Sequence, residues 1–358
     1  MNTILFWGAK EYPVGYKHSD NLAGGIETSF QRIIAGLKNK IKIKIITRKF
    51  KGQQSIEKQE GIEIIRIKTP FFAKGFFYNF YAFFYLLFRR CDYDKILTSG
   101  IMATFFAGIL KIFKFKKFKL YCRWDTPAYL SKTKLLYPLE KLTYSLLVDK
   151  FLLKTEFESS RIKKLYSIKK INYKIVGFGI DYKPANANYK CIPIKKFAYI
   201  GRLDKIKNIF LMMDSFSKLN SNLELNIYGD GPLKNKIKTY ISKNKIKNIK
   251  YQGFTSNVRG ALLDNDCLLL LSKTEGLPNV VLEAMALKKP IIMSDIGLFS
   301  RDIIYSVQLT NSTEIARNIQ SFLDNKRLQS TLVNNAYNYS LKNFNYENMI
   351  ENYKNILE

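Results

Sequence analysis

Histidine is nearly missing from this chain: His18 is the single one among 358 residues. A site that needs several imidazoles around one substrate is therefore poorly served. Cysteine is scarce as well. Cys91, Cys122, Cys191 and Cys267 are scattered with no C-x-x-C pair. That spacing argues against a zinc ribbon or a disulfide framework and suits a reducing compartment. No run of about 20 apolar residues occurs, so no transmembrane helix is expected. Met1 to Ala9 is apolar but lacks a basic start and a cleavage site, so it reads as a first strand and not as a signal peptide. Acidic residues are few, 29 against 59 Lys and Arg, for a net charge of +30.

What is present supports a large folded chain. Hydrophobic residues make up 47% and aromatics 14%, enough for the cores of two domains of ordinary size. Charge is uneven. Residues 1–185 carry 35 Lys and Arg against 14 Asp and Glu, a net +21, whereas residues 186–358 carry a net +9. The first half is expected to meet the more anionic partner.

Two series of strand and helix signals run along the chain. Thr3–Trp7, Ile41–Thr47, Ile62–Ile67, Ile96–Thr98 and Leu120–Cys122 read as strands, with helical stretches near 78–90, 101–113 and 133–147. The polar stretch 182–195 reads as a linker. A second series follows at Phe197–Ile200, Leu225–Tyr228, Ile249–Tyr251, Leu268–Leu271 and Ile291–Met293. Alternation of this kind predicts two doubly wound α/β domains, 1–185 and 186–340, with a C-terminal helix at 341–358 packing back on the first. Ligands of such sheets bind beyond the strand C-termini.

The most informative segment is Glu275-Gly276-Leu277-Pro278-Asn279-Val280-Val281-Leu282-Glu283. Gly276 and Pro278 bar a regular helix before Asn279, which is expected to cap one. Two carboxylates then flank a helix N-terminus, where phosphate is favoured. A nucleotide sugar has hydroxyls on both sides of its phosphates and suits that arrangement. Gly201-Arg202-Leu203 follows a strand directly, with Lys207 just before the next helix. A planar fork and a mobile point charge there suit a phosphate. Gly229-Asp230-Gly231-Pro232 reads as a turn. Gly24-Gly25 opens the first helix without forming G-x-G-x-x-G. Asp92-Tyr93-Asp94 and Asp264-Asn265-Asp266 read as turns and not as metal sites.

Gly-Gly-Ile-Glu (24–27), Gly-Ile-Asp (179–181), Gly-Arg-Leu with Lys207, Gly-Asp-Gly-Pro (229–232) and the pair Glu275/Glu283 stand in the order of a known family. The chain resembles the retaining glycosyltransferases of family 4, most tightly over 197–300. The resemblance implies a GT-B fold, two Rossmann-like domains facing a central cleft. It implies a nucleotide-diphosphate sugar donor, with UDP favoured, and no cofactor or required metal. Arg202 and Lys207 would neutralise the diphosphate, Glu283 would hold the ribose and Glu275 the donor sugar. Amides of Gly276, Leu277, Asn279, Val280 and Val281 would hold sugar and phosphate. Gly24 and Gly25 would let backbone approach the diphosphate, Gly201 would belong to the donor-binding loop, and Gly253 and Phe254 would lie near the base. Members commonly carry a His facing the sugar. The matching stretch here is Tyr121-Cys122-Arg123-Trp124-Asp125, so Arg123 or Asp125 takes that place.

Residues 71–90 are densely aromatic, and 111–119 interleave lysine with phenylalanine. Such segments suit a lipid headgroup region. A lipid-linked glycan acceptor and contact with the cytoplasmic face of a membrane are the expectation, in polysaccharide, O-antigen or glycolipid assembly, with no nucleic acid involved. The competing readings are a non-hydrolysing nucleotide-sugar epimerase, a basic nucleic-acid-binding protein and a sugar-nucleotide binder without turnover.

Overall fold

The computed structural model describes residues 3–13, 25–69, 76–89, 92–113, 118–124, 134–180 and 192–358. Its chain divides into two compact units, one ending at Gly179 and completed by Tyr346–Glu358, the other Ile180–Asn345. These boundaries lie a few residues from those suggested by composition, 185/186 and 340/341. Composition does not register the helix break at Phe344-Asn345 that marks the second crossing.

In the first unit the strands are β1 (Thr3–Trp7), β2 (Lys42–Arg48), β3 (Ile56–Gln59), β4 (Ile62–Ile67), β5 (Lys95–Ser99), β6 (Lys119–Arg123), β7 (Lys150–Leu153) and β8 (Tyr173–Ile175). They form one sheet in the order β3-β4-β2-β1-β5-β6-β7-β8. All neighbours are parallel except β3 and β4. That hairpin was not foreseen. It turns on Glu60 and Gly61, both at positive φ (48° and 78°), as a tight hairpin requires. Its outer strand, Ile-Glu-Lys-Gln, carries no apolar alternation to announce it.

The helices of this unit are α1 (Gly25–Leu37), α2 (Phe76–Phe88), α3 (Ile101–Phe113), α4 (Tyr137–Leu142) and α5 (Glu156–Tyr166). The single helix expected near 133–147 is three pieces, a 3₁₀ turn at Lys134–Leu136, α4, and a π turn at Thr143–Leu147. Thr143 and Ser145 donate their hydroxyls to Leu139 O and Lys141 O at 2.7 Å, bonds that compete with a regular ladder. Buried β-branched and aromatic residues fill both faces of the sheet. Phe6 meets Phe30 of α1 edge-on at 5.4 Å. On the other face Trp7 donates to Asn79 at 2.9 Å and Tyr78 to Ile46 O at 2.8 Å, seating α2.

The second unit holds β9 (Lys196–Ile200), β10 (Glu224–Tyr228), β11 (Ile249–Gly253), β12 (Cys267–Leu270), β13 (Ile291–Ser294) and β14 (Tyr305–Val307), all parallel, in the order β11-β10-β9-β12-β13-β14. Its helices are α6 (Ile209–Ser217), α7 (Lys234–Lys243), α8 (Val258–Leu263), α9 (Asn279–Ala286), α10 (Ser312–Asp324) and α11 (Lys326–Asn343). The inner strands β9, β10, β12 and β13 are mostly buried on both faces, as the strands of parallel sheets are, while the edge strand β11 exposes Lys250 and Gln252. A last helix, α12 (Tyr346–Leu357), belongs to the first unit. Tyr346 donates to Arg32 O of α1 at 3.0 Å, and Ile350 packs where Gly36 leaves room. Among the described residues no helix is long and apolar enough to cross a membrane.

Candidate active site

The candidate residues of the second unit gather at the C-terminal ends of its strands. The loop after β9 begins at Gly201, and that after β10 at Gly229. Leu203 N donates to Asp230 O at 2.9 Å, and Leu233 N to Leu203 O at 3.0 Å. The two loops lie so close that a Cβ on Gly229 would stand 1.9 Å from Gly201 O, and one on Gly231 2.5 Å from Leu203 O. Asp230 accepts from Gly231 N at 2.6 Å and from Lys234 at 2.9 Å. Gly-Asp-Gly-Pro is thus a turn that props the Gly-Arg-Leu loop.

Asp204 shapes the next step. Its carboxylate accepts from Ile206 N at 3.2 Å and so caps the 3₁₀ turn Lys205–Lys207. Lys207 leaves this turn toward Glu275, with Nζ 2.6 Å from each carboxylate oxygen. Ser272 Oγ donates to the same carboxylate at 2.6 Å. Lys273 N donates to Ile206 O at 2.8 Å, and Ser294 Oγ to Ser272 O at 2.5 Å, tying three strand ends together. Glu275 is buried, 3% exposed. A charge so placed needs a partner, and Lys207 supplies it.

Other residues fall as follows. The side chain of Arg202 is 63% exposed, its Nε 3.6 Å from Asp204 Oδ2. It is therefore open to an incoming anion. Its carbonyl accepts from the buried Tyr199 hydroxyl at 2.8 Å. Burial first, then the charges of Glu275 and Asp204, push the Tyr199 phenol well above its ordinary range. The phenol stays protonated and keeps donating. Glu283 lies one turn inside α9 and is buried. Phe254 follows Gly253 at the end of β11 and is exposed.

Two expectations about α9 need correction. Asn279 is the first helical residue, not the cap; Pro278 holds the cap position and no side chain caps the helix. Fixed φ and a missing N–H make proline suited to a helix start. The Val281 amide does not await a ligand, because it donates to Pro278 O at 3.1 Å, and the Val281 side chain is fully buried. Gly276, Leu277, Asn279 and Val280 stand at or just before the helix start, with Leu277 buried.

In the first unit, Gly25 is the first residue of α1. Gly24, Asp125, Asp181 and His18 lie outside the described residues. Arg123, the other candidate beside Asp125, ends β6 and is 3% exposed. It shares a small cavity of about 10 Å³ with Ser29, Arg32 and Lys154. The two D-x-D strings are structural. Asp94 accepts from Thr3 N at 2.9 Å, and Asp266 from Lys195 N and Lys196 N at 2.9 and 2.8 Å. Asn265 bonds Asn226 inside the fold at 3.0 Å.

Sequence reasoning missed Ser272 and Tyr199. Ser272 stands three residues before Glu275 and carried no motif. Tyr199 reads as an ordinary strand residue.

Residues 194–339 match the family model described as glycosyl transferases group 1. That span lies within the second unit. The chain shares 30% identity over 167 residues with an uncharacterized glycosyltransferase, MJ1059, of Methanocaldococcus jannaschii. That match takes in 44% of this chain and 40% of the relative, so the chain spans less than half of the relative's length. A 4-alpha-N-acetylgalactosaminyltransferase of Campylobacter jejuni, named for a diphospho-undecaprenol-linked substrate, is 22% identical over 218 residues, 55% of this chain and 60% of its own. Among solved structures, HepE of Anabaena in complex with UDP-glucose superposes with a TM-score of 0.76 at 14% identity, covering 99% of each chain. The whole-chain likeness makes the fold GT-B, as the motif order implied. The match to the group 1 model favours transfer over the epimerase and nucleic-acid readings.

Proposed function

We propose that this protein is a retaining glycosyltransferase of family 4 that moves a sugar from a nucleotide diphosphate, UDP in the first instance, to a lipid-linked glycan. The observation that carries the reading is the Lys207–Glu275 pair beside the open Arg202, at the strand ends of a group 1 domain. Breaking a glycosyl–phosphate bond builds negative charge on the leaving diphosphate. Arg202 and Lys207 are placed on one loop to meet that charge. Two of the three Lys207 donors are taken by Glu275, and the third is left for a phosphate oxygen. Glu275, held by Lys207 and Ser272, presents a fixed acceptor to a donor hydroxyl. Glu283, one turn into α9, is assigned to the ribose. Arg123 or Asp125 is the candidate for the donor sugar on the resemblance alone.

Support for the nucleotide comes from HepE, a structural neighbour that binds UDP-glucose. Support for the acceptor comes from the Campylobacter relative. Assembly of a polysaccharide, O-antigen or glycolipid at the cytoplasmic face of a membrane follows from such an acceptor.

Thermal unfolding in the presence of UDP, GDP and ADP tests the donor site. A ligand at about 100 times its dissociation constant adds roughly 2.7 kcal/mol. One nucleotide should stabilise the wild type and fail to stabilise Glu283→Ala. Wild-type-like shifts in the variant would remove Glu283 from the site.

A further inference from the structure

One face of α2 is unlike the rest of the surface. Phe76, Phe80, Phe84 and Phe88 recur every four residues and are all exposed. Successive ring centroids lie 6.3, 4.8 and 5.9 Å apart, a continuous aromatic row. Phe76 and Phe80 also reach Phe106 of α3 at 5.5 and 6.1 Å, and the exposed Phe113 at the end of α3 lies 6.3 Å from Phe83 of α2. The helix carries no charged residue. A contiguous exposed apolar patch of this kind marks an interaction surface.

The adjoining row of the same helix has different chemistry. Tyr81, Tyr85 and, just past the helix end, Arg89 line a cavity of about 380 Å³ together with Ile56, Arg66 and Lys68. Its volume is that of a small-ligand site. The Arg66 side chain is 2% exposed and donates to Glu57 at 2.6 Å and to Gln54 O at 3.3 Å. Its Nε has no hydrogen-bond partner among the described residues. Lys68 is exposed at the end of β4. Arg89 lies over the Tyr85 ring at 5.0 Å, with Nη1 3.4 Å from its hydroxyl. Glu57 pairs with Arg66, and Lys68 and Arg89 line the same cavity. Three cations and two phenols around one cavity suit a phosphate, through charge-assisted bonds and phenolic donors.

We propose that α2 lies in the headgroup region of an anionic bilayer, with its phenylalanine row toward the acyl chains. The cavity beside it seats a phospholipid phosphate among Arg66, Lys68, Arg89, Tyr81 and Tyr85. Aromatic rings that sink below the headgroups, flanked by cations at headgroup level, are the arrangement such a surface needs. The net charge of +21 on the first half of the chain complements it. This inference rests on the membrane-surface part of the reading above and not on the donor site.

Flotation of the full chain with vesicles tests it. Two vesicle types are needed, phosphatidylcholine alone and phosphatidylcholine with about a third phosphatidylglycerol. Wild type should bind the anionic vesicles at least about tenfold more tightly. Lys68→Glu with Arg89→Glu should lose most of that preference. A charge-matched control, Lys169→Glu with Lys170→Glu beside β8 at the opposite edge of the sheet, should lose much less. Phe80→Ser with Phe84→Ser should lose binding to both vesicle types. Equal losses in the two charge variants would overturn the phosphate seat and leave a diffusely attracted membrane surface. Absence of wild-type binding to any vesicle would overturn both the seat and the membrane reading, and would turn the aromatic row toward a protein partner. UDP-dependent stabilisation, measured on the same samples, should be unchanged throughout, so failure of the donor site shows separately.

Discussion

Lys207 Nζ stands 2.6 Å from both carboxylate oxygens of Glu275, across 68 positions of chain. The carboxylate is nearly dry and the ammonium mostly so, at 4% and 17% side-chain exposure. Lys207→Met removes the counter-charge and leaves the carboxylate stranded. The expected loss of stability is about 2–4 kcal/mol. Lys207→Met with Glu275→Met should recover most of it, because the isolated charge is gone. Urea unfolding of the two singles and the double checks this. Additive losses would mean that the pair is not coupled.

Glu283 and Glu275 are assigned to different parts of the donor, so their variants should fail differently. Glu283→Ala is expected to weaken UDP binding about tenfold or more, the loss of charge-assisted bonds to ribose. Glu275→Ala should spare nucleotide affinity and depress turnover. Calorimetric titration beside a transfer assay separates the two. Identical profiles would sink the division of roles.

Backbone crowding makes a prediction of its own. Gly229 sits at φ 146° with Gly201 O only 1.9 Å from where a Cβ would be, whereas Gly253 sits at φ 87° with nothing within 4 Å. Gly253→Ala pays only the left-handed backbone cost, about 1–2 kcal/mol. Gly229→Ala must also push the Gly-Arg-Leu loop away and should cost about 2–4 kcal/mol. It should weaken nucleotide binding too, since Arg202 rides on that loop. Denaturation midpoints of the two variants give the order directly.

Alkaline pH should expose Tyr199. Its folded pKa is raised, mainly by burial and then by Glu275 and Asp204, while the unfolded phenol titrates near 10. Below about pH 10 both states hold the proton and its contribution to stability is fully present. Above that pH the unfolded state releases the proton first, so stability falls as pH rises. Tyr78, raised by burial and by Glu27, acts in the same direction. Tyr199→Phe should therefore be less stable at about pH 8, having lost the bond to Arg202 O, yet show a shallower decline toward pH 11. An unchanged slope in urea midpoints across that range would contradict the assignment.

Local signals carried most of the fold. The apolar run Thr3–Trp7 is a strand with the expected bounds, because a strand buried on both faces needs an uninterrupted apolar run. Ile62–Ile67 is also a strand with the expected bounds, although Glu63 and Arg66 interrupt its isoleucines. Strands without that run escaped notice, such as β3 with Ile-Glu-Lys-Gln and the three-residue β8 and β14. At the candidate site, Glu275, Glu283, Arg202 and Lys207 were legible from residue type and nearness to strand ends. Ser272 and Tyr199 were not, since neither departs from what a strand or its end commonly holds.

The sequence by itself determined which segments are strands, where the glycine turns fall and that a helix opens after Pro278. Those are properties of a few adjacent residues, set by backbone sterics and apolar run length. Only the tertiary structure decided that Lys207 meets Glu275, and that Arg66 and Lys68 share a cavity with Tyr81, Tyr85 and Arg89. The first depends on β9 and β12 being neighbours in the sheet although β10 and β11 lie between them in the chain. The second depends on which face of an almost wholly apolar helix packs on β4. Long-range pairing and packing choose among faces and neighbours that local propensity leaves equivalent.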